Sequence, residues 1–167
     1  LEHSCLLTFS DEFKTLKGLT NREQLKNKFF LLEEFILDQI KIKNKINHVN
    51  FDKEVIIHGH CHQKSQNRMK GLFKLLDTFN IKYKMIDSSC CGMAGSFGYN
   101  SKNYDISKKM AYLSLIPEIN KTDKNAFILA NGTSCRHQIS DFSERKPKHI
   151  AELLSLIHIS EPTRPTR

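Results

Sequence analysis

The stretch Val55-Ile56-Ile57-His58-Gly59-His60-Cys61-His62-Gln63 decides the fold. Three consecutive apolar β-formers run into a glycine-bearing polar segment, and a helical pattern follows from about Gln63 to Thr78, with Met69, Leu72, Phe73 and Leu76 on its buried face. The unit then recurs. Ile81 to Ile86 reads as a strand, Asp87 to Tyr99 as a glycine-rich loop, and Tyr104 to Leu115 as a helix that Pro117 helps to stop. Ala126 to Ala130 is a third strand, ahead of Asn131, Gly132 and the segment Thr133-Ser134-Cys135-Arg136-His137. Strand, helix, strand, helix, strand predicts an α/β fold with a small, mostly parallel sheet and crossover helices. Right-handed crossovers are expected to place both helices on one face, with an N-terminal helix or preceding sequence on the other. That helix is read from Thr20 to about Ile46, where Thr20 and Glu23 suit a capping box and Leu25, Phe29, Leu32, Ile36 and Ile40 repeat at helical spacing. Ala151 to Leu154 begins a final helix.

An apolar content of 39% over 167 residues, with eleven Phe and no Trp, suits one compact domain. The formal charge of +8 is largely scattered lysine, such as Lys41, Lys43 and Lys45, so solvation explains it better than a nucleic-acid partner. No stretch approaches the roughly 18 to 20 apolar residues that span a bilayer, and no signal-like segment opens the chain. A cytoplasmic location is expected, with peripheral attachment to the inner membrane compatible with it. Five cysteines, two of them adjacent, make a poor disulfide framework and favour metal or cluster ligation in a reducing compartment. The chain starts at Leu1 and runs directly into patterned sequence, so it is expected to be a fragment. Residues 155–167 shift in composition, with Pro162 and Pro165 among basic and polar residues; they resemble a translated sequencing adapter and are expected to be non-native.

In an open parallel sheet, the segments His58–His62, Ser88–Gly98 and Thr133–His137 meet beyond the carboxyl ends of the strands, where ligand sites form. Cys61 is the strongest ligand candidate of the first; His60 and His62 are either ligands or hydrogen-bonding neighbours that orient ligands. In the second, a turn can aim Cys90 and Cys91 at different metal atoms or different faces of one cluster, while Gly92, Gly95 and Gly98 allow close backbone approach. The glycines also suit a phosphate, but the loop lacks the Walker lysine and a complete dinucleotide fingerprint, which makes that reading weaker. Cys135 supplies the third segment's thiolate. Lys64 and Arg136 either compensate an anionic centre or are solvated surface charges, and Met93 and Phe97 are packing residues rather than ligands. Cys5, in Glu2-His3-Ser4-Cys5, fits a ligand belonging to a preceding half.

These residues resemble the CCG cysteine-rich domain, especially its version at the C-terminus of FAD-linked oxidases and D-2-hydroxy-acid dehydrogenases fused to iron-sulfur modules. The resemblance runs from about Glu2 to Leu154. It rests on His58-Gly-His60-Cys61-His62-Gln63-Lys64, on Cys90-Cys91-Gly92-Met93-Ala94-Gly95-Ser96-Phe97-Gly98-Tyr99 and on Gly132-Thr133-Ser134-Cys135-Arg136-His137-Gln138-Ile139. It implies that residues 1–50 end a preceding cysteine-rich half with a connecting helix, and that residues 51–154 form the CCG domain. It further implies an iron-sulfur cluster, of 4Fe-4S type, held by Cys61, Cys90, Cys91 and Cys135, with Cys5, His60 and His62 as further metal candidates and Gly92 and Gly95 lining the cofactor. FAD and hydroxy-acid oxidation would then belong to upstream flavin and ferredoxin-like modules, and electrons would pass to a quinone or carrier protein. One departure stands out: related domains often end in Cys-x-x-Cys, whereas Cys135-Arg136-His137-Gln138 has a single cysteine. A five-thiolate cluster therefore does not carry over as it stands, and four sulfur ligands, a histidine-containing shell or an incomplete site are the alternatives. The different-class alternative is a zinc-binding or structural interaction domain without redox activity.

Overall fold

The computed structural model describes residues 3–10, 15, 28–43 and 51–159. Among them, helix α1 (His3–Ser10) and helix α2 (Leu32–Lys43) precede strand β1 (Val55–His58). Helices α3 (Cys61–Ser65) and α4 (Met69–Thr78) lead to β2 (Tyr83–Met85), and helices α5 (Tyr104–Leu113) and α6 (Leu115–Lys121) lead to β3 (Phe127–Ala130). Helices α7 (Thr133–Phe142) and α8 (Ile150–Ile159) follow.

The sheet is parallel with the order β2-β1-β3, Val55 pairing with Tyr83 on one side and Phe127 on the other. The outer edge of β3 is met by Lys148, whose N–H donates to the Ile128 carbonyl at 2.8 Å and whose carbonyl accepts from the Ala130 N–H at 2.9 Å. All four residues of β1 are buried, as a central strand covered on both faces requires.

Side-chain alternation splits the interior in two. Val55, Ile57 and Leu129 point into a core built with Leu72, Leu75 and Leu76 of α4, Leu153, Leu154 and Ile157 of α8, and Ile36, Leu37 and Ile40 of α2. Ile56, Ile128 and Ala130 point the other way, against Ala111 of α5, Leu115, Ile116 and Ile119 of α6, and Ile139 of α7. Each fully buried Leu or Ile contributes about 1.5–3 kcal/mol. The two crossovers therefore lie on opposite faces, which corrects the expectation of a single face. With β1 in the centre, the first connection moves one strand outward and the second returns across it, so the direction of winding reverses and the same handedness lands on the other side.

Other boundaries differ for local reasons. The helix expected from Thr20 to Ile46 starts only at Leu32 within the described residues; the Leu31 N–H donates to the Glu34 carboxylate at 2.9 Å, a cap formed in front of α2. Arg68 pairs with the same Glu34 carboxylate. Thr20, Glu23 and Leu25 lie outside the described residues. The helix expected from Gln63 to Thr78 is two helices, because Asn67 adopts a left-handed conformation (φ 55°) and the Arg68 N–H donates to the Gln63 carbonyl at 2.9 Å. Pro117 does not stop α5. The break is at Ser114, and Pro117 sits in the first turn of α6, where its missing N–H has no intrahelical role. Thr133 to His137 is the opening of α7 rather than a loop. Helix α8 continues past Leu154 through Ile159, with Ile157 buried in the first core, so the boundary expected at 154/155 falls inside a helix. No helix among the described residues is long and apolar enough to cross a membrane.

Candidate metal centre

The winding reversal places the chemistry. Beyond the carboxyl ends of adjacent β1 and β3, one chain leaves toward α4 on the first face and the other enters α7 on the second, opening a crevice of the kind where ligands bind in doubly wound sheets. His58 ends β1, Cys61 begins α3, Cys135 lies in the first turn of α7, and the loop after β2 brings Cys90 and Cys91 alongside.

His58, Cys91 and Cys135 form the tightest group, with one donor atom from each lying within 4.8 Å of the others, and all three are buried. His58 Nδ1 is hydrogen-bonded to Ser88 Oγ at 2.8 Å. Its Nε2 is buried and has no nitrogen or oxygen partner among the described residues, so the ring is oriented with one nitrogen directed into the group. An imidazole fixed through one nitrogen and turned toward the Cys135 sulfur with the other is the arrangement of a metal-binding histidine. His58 was absent from the expected ligand set; its signal in the sequence was its place as the first polar residue after an apolar strand, at the strand end where such sites form.

The four expected thiols make one connected chain. Cys61 interacts with Cys90, Cys90 with Cys91, and Cys91 with Cys135. Donation from Cys61, then from Cys91, holds the Cys90 thiol far below the ordinary range, and the Gly92 N–H, 3.4 Å from its sulfur, adds to this. Cys135 is likewise held well below it, chiefly by donation from Cys91, with the His58 and His60 imidazoles assisting against burial. The donors respond oppositely: Cys61, through its interaction with Cys90 and then burial, and Cys91, through Cys135 and then Cys90, are pushed far up. The four sulfurs are electrostatically linked through these contacts, an electron-rich set that a cation would neutralise.

The remaining expectations divide. His60 is buried beside the group: a Cβ built on Gly132 would lie 2.3 Å from His60 Cδ2 and 3.1 Å from Cys135 Sγ. His62 is exposed and meets the His60 ring edge-on at 5.5 Å. Neither belongs to the tight trio. Cys5 is exposed on α1, also outside the trio, although α1 itself packs against α3. Gly92 holds φ +93°, and a Cβ there would stand 2.4 Å from the Ser107 carbonyl; Gly95 holds φ +68° in open space. Lys64 and Arg136 are both hydrogen-bonded to backbone carbonyls beside the crevice rather than free in solvent. Lys64 donates to the Ser88 carbonyl and, at 2.9 Å, to that of Ser89, while Arg136 donates to the carbonyls of Ala130 at 3.0 Å and Asn131 at 2.7 Å. Both fasten the segments that carry the cysteines. Met93 is buried in the second core, as expected for packing. A cavity of about 1260 Å³ lies at the opposite end of the sheet, around the start of β3 and away from the cysteines.

No protein-family profile matches the chain, and no solved structure matches it. It is similar to D-2-hydroxyglutarate dehydrogenase of Pseudomonas putida, at 26% identity over 159 residues covering 92% of this chain and 14% of that protein. The enzyme of the same name from Pantoea ananatis is 34% identical over 84 residues, 50% of this chain and 8% of its own length. The D-2-hydroxyglutarate dehydrogenase of Escherichia coli is 32% identical over 80 residues, 47% of this chain and 8% of that enzyme. The chain thus spans about a seventh of the length of the Pseudomonas putida protein. It is a distant homologue of D-2-hydroxyglutarate dehydrogenases that carries a candidate metal-binding site within a small parallel α/β fold.

Proposed function

We propose that the chain is the metal-binding module of a larger oxidoreductase and that His58, Cys91 and Cys135 hold a single ion, zinc being the ion this donor set fits. The observation that carries the reading is the compactness of the buried trio, within 4.8 Å. Two thiolates and an imidazole are standard zinc donors, and ligands around a tetrahedral zinc lie about 3.3–3.8 Å apart for bonds of about 2.0–2.3 Å. A small contraction brings the trio to that geometry. A four-iron cluster, in contrast, seats its thiolates on separate corners and requires the group to spread. The ion would supply charge neutralisation and Lewis acidity, while the chain itself orients His58 through Ser88 and excludes water by burying Cys91 and Cys135.

A second reading is favoured by the thiol chain from Cys61 to Cys135, which offers the four soft donors a 4Fe-4S cluster takes. In that reading, upstream flavin oxidises a D-2-hydroxy acid, and the module relays single electrons toward a quinone or carrier acceptor. Similarity to dehydrogenases supports an oxidoreductase setting under either reading.

Metal and acid-labile sulfide analysis of anaerobically prepared protein separates the two. The first reading expects zinc equimolar with the chain and no labile sulfide, and loss of the ion in His58→Asn, Cys91→Ser or Cys135→Ser but not in Cys61→Ser. Iron and sulfide in comparable amounts, lost equally on replacing any of the four cysteines, would establish the cluster instead.

A further inference from the structure

If His58, Cys91 and Cys135 hold the ion, two thiols at the mouth of the same crevice are left over. Cys61 and Cys90 are both partly exposed, whereas Cys91 and Cys135 are buried. They come from separate segments, the start of α3 and the loop after β2, and their side chains interact. Lys64, three residues beyond Cys61 on α3, donates to the carbonyls of Ser88 and Ser89, the two residues directly before Cys90. The same short helix that presents one thiol thus grips the segment that presents the other. This contact is independent of any ion. Pairing Cys90 with its neighbour Cys91 is disfavoured by comparison, since a disulfide between adjacent residues closes a small strained ring and would remove a donor from the trio.

We propose that Cys61 and Cys90 form a reversible thiol–disulfide couple over the metal centre, oxidised by low-molecular-weight disulfides such as glutathione disulfide. This rests on the single-ion reading. In the first step, one thiol loses its proton and attacks a sulfur of glutathione disulfide; the glutathione S–S bond breaks, a mixed disulfide forms, and the departing glutathione thiolate takes a proton. The second thiol then attacks the protein sulfur of the mixed disulfide, forming Cys61–Cys90 and releasing a second glutathione. Two thiols are oxidised and one glutathione disulfide is reduced to two glutathiones, so electrons and protons balance. Dithiol reductants reverse both steps.

The test exposes the zinc-loaded 167-residue chain to glutathione disulfide, with the metal-to-protein ratio and labile sulfide measured before and after, and maps cross-links by peptide mass spectrometry. The expected result is a Cys61–Cys90 cross-link at undiminished zinc content, reversed by dithiothreitol. Cys61→Ser should instead leave Cys90 as a stable glutathione adduct, and Lys64→Met should slow cross-linking severalfold relative to the unaltered chain when the two are compared at equal zinc content. A cross-link through Cys91 or Cys135, or persistence of both free thiols at high glutathione disulfide, would overturn the proposal. Labile sulfide that protects Cys61 and Cys90 until the cluster is lost would overturn it through failure of the single-ion reading. If the chain holds no metal, a preferred Cys61–Cys90 bond over Cys91–Cys135 still supports the couple, and the reverse preference refutes it.

Discussion

Gly132 shows how little room the centre leaves. A side chain there would meet His60 at 2.3 Å and the Cys135 sulfur at 3.1 Å, both inside ordinary contact distance. Gly132→Ala should therefore displace His60 and turn the start of α7, lowering metal occupancy well below that of the unaltered chain while leaving helical content nearly unchanged. Gly95→Ala is the matched control: its φ of +68° imposes backbone strain of about 1–2 kcal/mol, yet nothing lies near the new methyl, so occupancy should hold. Metal-to-protein ratios after identical loading would decide, and full occupancy in Gly132→Ala would refute the tight-packing account. At this scale the sequence was informative about which thiols gather, since Cys61, Cys90, Cys91 and Cys135 were legible from their position after apolar strands. His58 was marked only by its place as the first polar residue after an apolar strand; its orientation by Ser88, thirty residues away, is a contact that only the folded sheet creates.

Elements were legible where side-chain period dominates and illegible where a single backbone choice does. The three strands came out within a few residues because Val55-Ile56-Ile57 and Phe127-Ile128-Leu129 have no competing pattern. The division between α3 and α4 hinges instead on Asn67, exposed and left-handed, whose N–H returns to the Lys64 carbonyl at 3.0 Å. A helical pattern on both sides conceals such a turn. Asparagine tolerates this conformation better than other residues with a Cβ, so Asn67→Ala should destabilise the chain by about 1 kcal/mol, whereas Asn67→Gly should not, as read by the urea midpoint of each. Equal midpoints for Ala and Asn would show that the turn is set by the flanking pairs rather than by residue 67. The missed facial arrangement belongs here too: period and order fix that helices cross over, but strand order decides on which side, and the order β2-β1-β3 is not written in any one segment.

At the scale of the molecule, the centre ties three chain segments together on one side of the sheet, since Cys91 and Cys135 both belong to the second core. The first core clamps α4, α8 and α2 to one face and the second clamps α5, α6 and α7 to the other, with the sheet between. His58 belongs to the central strand, Cys91 to the loop after β2, and Cys135 to the opening of α7, so an ion held by all three cross-links the middle strand to both neighbouring connections. Such an ion binds the folded chain far more tightly than an unfolded one, in which the donors are separated by 32 and 43 residues of chain. Stability must then rise with free metal. At a free zinc concentration about one hundred times the dissociation constant, the gain is about 2.7 kcal/mol, and it increases by about 1.4 kcal/mol for each further tenfold. Chelation should lower the urea midpoint of the reduced chain by the corresponding amount, and zinc should restore it in proportion to the logarithm of its concentration. Cys135→Ser should abolish that dependence, because it removes a buried donor of the trio; His62→Ala should preserve it, because His62 is exposed and outside the group. A midpoint indifferent to zinc in the unaltered chain, at concentrations where metal analysis finds the ion bound, would mean that the trio is not its site.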